Sequence, residues 1–245
     1  MFDGSNSATS PEVSIVVPVY NERENLSALL GEIVPVMESE SRPFEIIFVD
    51  DGSTDGSAEI LRGLKAADPR VRVLTAERNA GQTAAMAAGF GAARGDIVVT
   101  LDADLQNDPR DIPALLGRLE GCDAVVGWRA GRRDAWLRRI SSRVANAVRN
   151  RLSGDDIIDT GCSLKAYRRE ALGRIKLFNG MHRFLPTLLR LEGYRVRQVK
   201  VSHRPRHAGV SKYNMRNRLF RASADLLAVM WMKRRTIQYR VTEEK

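Results

Sequence analysis

Short β-branched runs alternate with helix-favouring stretches along the first half of the chain, and this alternation restricts the fold more than any other feature. Residues 13–19 form such a run, closed by Tyr20 and Asn21 and followed by the polar stretch 23–33. Residues 44–49 lead through a turn at 50–56, where Ser53, Thr54 and Asp55 offer N-caps, into a helix over 57–66. Strand 71–75 precedes helix 81–94, strand 97–101 precedes a helix opening near Pro109, and 124–126 reads as a fifth short strand. This order specifies an α/β domain with a mostly parallel central sheet and helices on both faces. Downstream the regularity loosens into a basic helix over 136–152, a loop at 154–161, a mixed segment to Tyr194, an alternating strand over 195–203 and a last helix over 217–234. The 245 residues suit one domain over 13–215, with a flexible N-terminus at 1–12 and a basic amphipathic helix with a polar tail at 216–245.

Charge divides the chain. Residues 1–120 carry 10 Lys/Arg against 20 Asp/Glu, whereas residues 121–245 carry 29 against 10. An acidic half suits a cation, and a basic half suits phosphates or an anionic surface. Cys122 and Cys162 lack metal-ligand spacing, so neither a disulfide framework nor a zinc site is expected. No secretory signal opens the chain, which predicts a cytoplasmic protein. Its longest apolar run, 226–232, falls far below the roughly 20 residues of a spanning helix.

In open α/β sheets ligands bind beyond the carboxyl ends of the strands. Here those ends are acidic or amide: Asn21 and Glu22, then Asp50 and Asp51, then Asp102 and Asp104. Carboxylates gathered at one edge repel unless a cation or hydrogen-bond donors sit among them. A hard divalent ion plus a donor-rich base meets both needs, and in extended chain Asp102 and Asp104 would share one face and one ion. Singly, 50–55 reads equally as a capped turn and 102–108 as a loop before Pro109; three acidic strand ends together favour the ligand. Gly89, Gly91 and Gly95 have the wrong spacing and position for a dinucleotide fingerprint. A Walker loop, a zinc-protease His pair and a nucleophile elbow are all missing, and His182, His203 and His207 are scattered.

Val17-Pro18-Val19-Tyr20-Asn21-Glu22, Val49-Asp50-Asp51-Gly52-Ser53-Thr54-Asp55 and Leu101-Asp102-Ala103-Asp104-Leu105-Gln106 resemble, in order, the signatures of family 2 glycosyltransferases, and the last resembles their polyprenyl-phosphate branch. The resemblance implies the GT-A fold and an inverting transfer of sugar from a nucleotide-diphosphate donor to a polyprenyl phosphate. It places Pro18, Val19, Tyr20, Glu22, Asp51, Gly81, Gln82, Asp102 and Ala103 against the donor. Asp102, Asp104 and Gln106 would hold Mg²⁺ or Mn²⁺, with Asp104 in the catalytic set. Residues 159–167 resemble the family's acidic acceptor loop and 206–212 its phosphate-binding hairpin, so Arg206, Ser211 and Lys212, with Arg129 and Arg143, are expected at the acceptor phosphate. A hydroxyl acceptor, in a polysaccharide or lipopolysaccharide, would instead need a general base, for which Asp159 is the candidate.

Many bacterial relatives in this branch continue into transmembrane helices, and this chain stops at Lys245. Two basic amphipathic stretches could take their place at the cytoplasmic face of an anionic membrane: 129–151, with eight arginines and one acid, and the last helix, where Leu219, Leu226, Met230 and Trp231 are bordered by arginines and lysine. Each stretch could equally pack its apolar stripe on the core. A separate membrane protein is a possible partner. A nucleic-acid-binding module is disfavoured, because aromatics are only 6% and no RNA-stacking or helix-turn-helix signature accompanies the arginines.

Overall fold

A computed structural model describes residues 10–129, 156–175, 178–205 and 215–235, with side chains from 224 onward in the last segment. The expected helix at 136–152 lies outside these residues. The strands are β1 (Val13–Val19), β2 (Phe44–Asp50), β3 (Val71–Thr75), β4 (Ile97–Thr100), β5 (Ala124–Arg129), β6 (Lys165–Arg168) and β7 (Val196–Val201). They form one sheet in the order β3-β2-β1-β4-β6-β5-β7. β6 runs antiparallel to both β4 and β5, and every other pairing is parallel. The mostly parallel α/β architecture read from the sequence is the one observed.

β1 is covered on both faces, which is why it reads as an apolar run broken only by Ser14 and not as an alternation. Val13, Ile15, Val17 and Val19 face a core shared with α1 (Leu26–Ser39), α2 (Ser57–Ala67) and α4 (Ile112–Arg118), through Leu29, Ile33, Leu61 and Leu115. Val16 faces a second core with α3 (Gln82–Ala92), α5 (Arg169–Gly173), α6 (Leu185–Leu191) and α7 (Met215–Arg235). Gly89 permits the close approach of α3 to β1, because a Cβ there would lie 2.3 Å from Val16 Cγ1.

The sequence missed β6 entirely and gave a mixed segment in its place. Four residues, Lys-Ala-Tyr-Arg, show no periodicity that separates strand from coil, and only pairing on both edges makes them a strand. The helix expected near Pro109 begins as a 3-10 turn, Pro109–Asp111, before α4. α7 packs on the core with one face only: Val229 is fully buried and Leu226 and Met232 pack on the second core, while Leu227 and Trp231 are 64% and 62% exposed.

At the amino edge of the sheet, buried Glu45 accepts from Ser14 Oγ at 2.7 Å, Arg72 Nη1 at 2.6 Å and Arg94 N at 2.8 Å. Burial works against the carboxylate, but these hydrogen bonds outweigh it and hold Glu45 below the usual range. A depressed native pKa contributes stability above the unfolded value, and that stability is lost as pH falls through the native one. Glu45→Gln should therefore lower unfolding free energy by about 3 kcal/mol at pH 7. The difference from wild type should shrink below about pH 4, as urea melts across pH would measure.

Candidate active site

The polar residues collect beyond the carboxyl ends of β1, β2 and β4, where two loops are stitched together. Asn21 N donates to Ser53 Oγ at 2.9 Å, Thr54 N to Asn21 Oδ1 at 2.7 Å, Glu22 N to Ser57 Oγ at 3.1 Å and Arg23 N to Asp55 Oδ2 at 3.1 Å. Asn21 takes a left-handed φ of 54°, a conformation Asn tolerates better than most residues. The exchange explains why both loops are rich in Asn, Ser, Thr and Asp. Asp50 accepts from Ser53 N at 3.0 Å, and Asp55 from Ser57 N and Oγ, so these two carboxylates serve turns and caps.

Asp51 does something else. Its two oxygens accept from Ala80 N at 2.7 Å and Gly81 N at 2.8 Å, which fixes the loop entering α3. From the start of α3, Gln82 Nε2 donates to Asp102 Oδ1 at 2.9 Å. Gly52 (φ 70°) sits against that loop, where a Cβ would fall 2.7 Å from the Arg78 carbonyl carbon. Tyr20 is 37% exposed just past the end of β1. Pro18 and Val19 belong to β1; the side chains of Val19 and Ala103 lie in the first core, so only their backbones can meet a ligand.

The pair Asp102 and Asp104 is not presented by extended chain as the sequence suggested. β4 ends at Thr100, and the chain turns, with Leu105 left-handed at φ 59°. Asp104 Oδ1 accepts from Gln106 N at 3.2 Å, and Asp102 N donates to Asn107 Oδ1 at 3.3 Å. Burial and the Asp104 charge push Asp102 up to about 6, against the Ser163 hydroxyl and the charges of Lys165 and Arg129. Among the described residues no cluster of three or more His, Cys, Asp or Glu is arranged to hold a metal. The donor set nonetheless fits a hard divalent ion whose shell is completed by phosphate and water oxygens: two neighbouring carboxylates, one destabilised by the other's charge.

At the same carboxyl edge, beyond β6, Arg129 at the end of β5 and Asp159 are paired. Nε reaches Oδ2 at 2.6 Å and Nη2 reaches Oδ1 at 2.9 Å, while Arg129 N and Gly161 N donate to the same oxygens at 3.3 and 3.1 Å. A Cβ on Gly161 would lie 3.1 Å from Arg129 Nη2, so the glycine leaves room for the guanidinium. Arg143, Arg206, Ser211 and Lys212 lie outside the described residues.

Several supports escaped the sequence reading. Ser163 Oγ donates to Asn107 Oδ1 at 2.6 Å. Arg204 binds the Gln106 carbonyl through its backbone N–H at 3.0 Å, and its side chain joins Asp108 to Glu32 at 2.7 Å each. Arg110 and Arg204 hold Asp108 far below the usual carboxylate range. Their partners are distant in sequence, so no local spacing announces them.

The Glycosyl transferase family 2 profile matches residues 14–176. Dodecaprenyl-phosphate galacturonate synthase of Rhizobium johnstonii is 42% identical over 92% of this chain and 68% of its own length. Undecaprenyl-phosphate 4-deoxy-4-formamido-L-arabinose transferase of Edwardsiella ictaluri is 40% identical over 86% of this chain and 66% of its own. This chain thus spans about two thirds of these relatives. Glucosyl-3-phosphoglycerate synthase from Mycobacterium tuberculosis, crystallised with Mn²⁺, uridine diphosphate and phosphoglyceric acid, shares the fold with a TM-score of 0.69 at 24% identity, covering 91% of this chain and 78% of that one. The chain belongs to glycosyltransferase family 2, and its similarity runs to the polyprenyl-phosphate branch of that family.

Proposed function

We propose that this protein transfers a sugar from a nucleoside diphosphate sugar to a polyprenyl phosphate with inversion at the anomeric carbon. The observation that carries the reading is the carboxylate pair Asp102 and Asp104 on the turn after β4, tied to the Asp51-anchored loop through Gln82. The names of the relatives support the acceptor class.

In this reading Tyr20, Glu22 and Asp51 seat the nucleoside, and Asp102 and Asp104, with Gln106 beside them, hold Mg²⁺ or Mn²⁺. The ion would stabilise the charge gathering on the departing diphosphate. The two carboxylates would keep the ion and donor in register. A phosphate acceptor is already ionised near neutral pH and needs orientation more than deprotonation. Arg129 spends its Nε and Nη2 edge on Asp159 and can turn Nη1 toward that phosphate, alongside Arg143, Arg206, Ser211 and Lys212.

The hydroxyl-acceptor alternative is weakened by Asp159 itself. Each of its oxygens already accepts two hydrogen bonds, from Arg129 and Gly161, which fills the lone-pair directions a general base would use. The cytoplasmic membrane face supplies the acceptor in this reading. Among the described residues no helix is long and apolar enough to cross a membrane. Exposed Leu227 and Trp231, followed by Lys233, Arg234 and Arg235, give α7 an apolar stripe with a cationic end that suits anionic lipid.

Asp104→Asn should leave the thermal melt near wild type and cut turnover at limiting Mn²⁺ by about 100-fold or more, as for loss of one preorganised electrostatic contact. Near-normal turnover would remove the metal assignment. Arg143→Ala should raise the KM for polyprenyl phosphate about tenfold with little change for the donor. Arg129→Ala should do the same and also cost about 3 kcal/mol of stability, because Asp159 loses its partner. Equal rises in both KM values would assign these arginines to the donor. The double change Leu227→Ser and Trp231→Ser should weaken sedimentation with anionic vesicles at low salt while nucleotide binding persists. Binding indifferent to lipid charge and salt would end the surface reading.

A further inference from the structure

Lys165 is buried, 2% exposed, in a position that nothing above requires to be charged. It opens β6 and pairs with Thr100 of β4 and Val126 of β5. Directly opposed residues of an antiparallel pair share a face, so Lys165 and Thr100 lie on the α3 side of the sheet, one step below the turn that carries Asp102. Nζ donates to the His182 carbonyl at 3.1 Å, its one hydrogen bond among the described residues. His182 Nδ1 meets Thr83 Oγ1 at 2.8 Å, and Thr83 follows Gln82, the partner of Asp102.

Burying an ammonium is costly, and a lysine is seldom fully buried unless it is paired. Holding one carbonyl does not explain it, since a neutral glutamine amide donates to a carbonyl equally well. Burial disfavours the ammonium most, and what offsets it is the charge around it: the Asp159 and Asp102 carboxylates favour the protonated form, while Arg129 opposes it. Burial brings Lys165 down to about 8, which leaves it mostly charged at neutral pH.

We propose that Lys165 is a positioning residue of the donor site, a buried counter-charge that offsets part of the Asp102–Asp104 negative charge and limits how tightly the bare carboxylates hold a divalent cation. The inference rests on the donor-site reading above. It gives the site a net charge suited to a cation and a diphosphate together: with Lys165 in place, the ion is held firmly only once phosphate oxygens complete its shell. Without it, the carboxylate pair binds free cation more tightly.

The test is a Mn²⁺ titration of the full chain at pH 7, followed by the electron paramagnetic resonance of free Mn²⁺, for wild type, Lys165→Met, Lys165→Gln and Lys165→Arg. The neutral variants should bind Mn²⁺ about fivefold more tightly, the modest gain expected when one like charge is removed across a well-screened, partly polar interior. Lys165→Arg, which keeps the charge, should return to the wild-type value. A merely structural lysine predicts the opposite sign, with weaker Mn²⁺ binding and a lower melting temperature in the neutral variants; that result, or unchanged affinity in a folded neutral variant, overturns the proposal. Lys165→Gln keeps a donor for the His182 carbonyl and so serves if Lys165→Met does not fold. Wild-type protein that binds no Mn²⁺ would instead remove the metal reading, and this inference with it.

Discussion

β1 lies between β2 and β4 with its two faces committed to separate cores, and the site depends on that arrangement. A strand buried on both sides offers no lateral surface for chemistry, so polar side chains can be placed only where it ends. The parallel registers bring the ends of β1 and β2 level, Val19 against Asp50, and pair Val16 with Thr100 on β4. Loops that leave at one edge then have little choice but to contact one another. The hydrogen bonds between Asn21 and Ser53, and between Asp51 and the loop entering α3, follow from that crowding.

Gathering acids at one edge creates an electrostatic debt that the fold settles in several ways. Asp51 is satisfied by two backbone N–H groups, Asp108 by Arg110 and Arg204, and Asp159 by the guanidinium of Arg129. Asp102 is the exception among them, pushed upward by burial and by Asp104. The other acids are thus neutralised by specific partners, whereas Asp102 stands next to a second carboxylate. The same chain of supports joins the 159–165 segment to the turn after β4, because Ser163 bonds Asn107, which also receives the Asp102 N–H.

The right half of the sheet has a different character. β6 reverses direction between β4 and β5, and so brings the 159–165 segment back toward the carboxyl edge. That reversal is what sets Arg129 beside Asp159 and Lys165 below Asp102. α7 closes the same face from outside, burying Val229 and leaving Trp231 in solvent next to Arg235, whose guanidinium lies 6.0 Å from the ring centre. One helix thereby serves the core and presents a separate surface.

The sequence by itself determined the alternating α/β order, the acidic strand ends and the family, because β-branched runs and loop composition are local signals that survive without a third dimension. It also singled out Asp51, Asp102 and Asp104 by position in ordered motifs, and the fold places them with Gln82 beyond the carboxyl ends of the strands. What it could not determine was who touches whom. β6 has no pattern of its own and exists only through pairing on both edges; the Asp102–Asp104 turn depends on a left-handed Leu105; and Arg204, Asn107 and Lys165 meet partners that no local spacing announces. The two faces of α7 were likewise undecided, since one apolar stripe can meet a core or a surface, and only packing against the second core assigned Val229 inward and Trp231 outward. Periodicity records which residues are apolar, whereas long-range pairing and charge compensation arise only when distant segments are brought together.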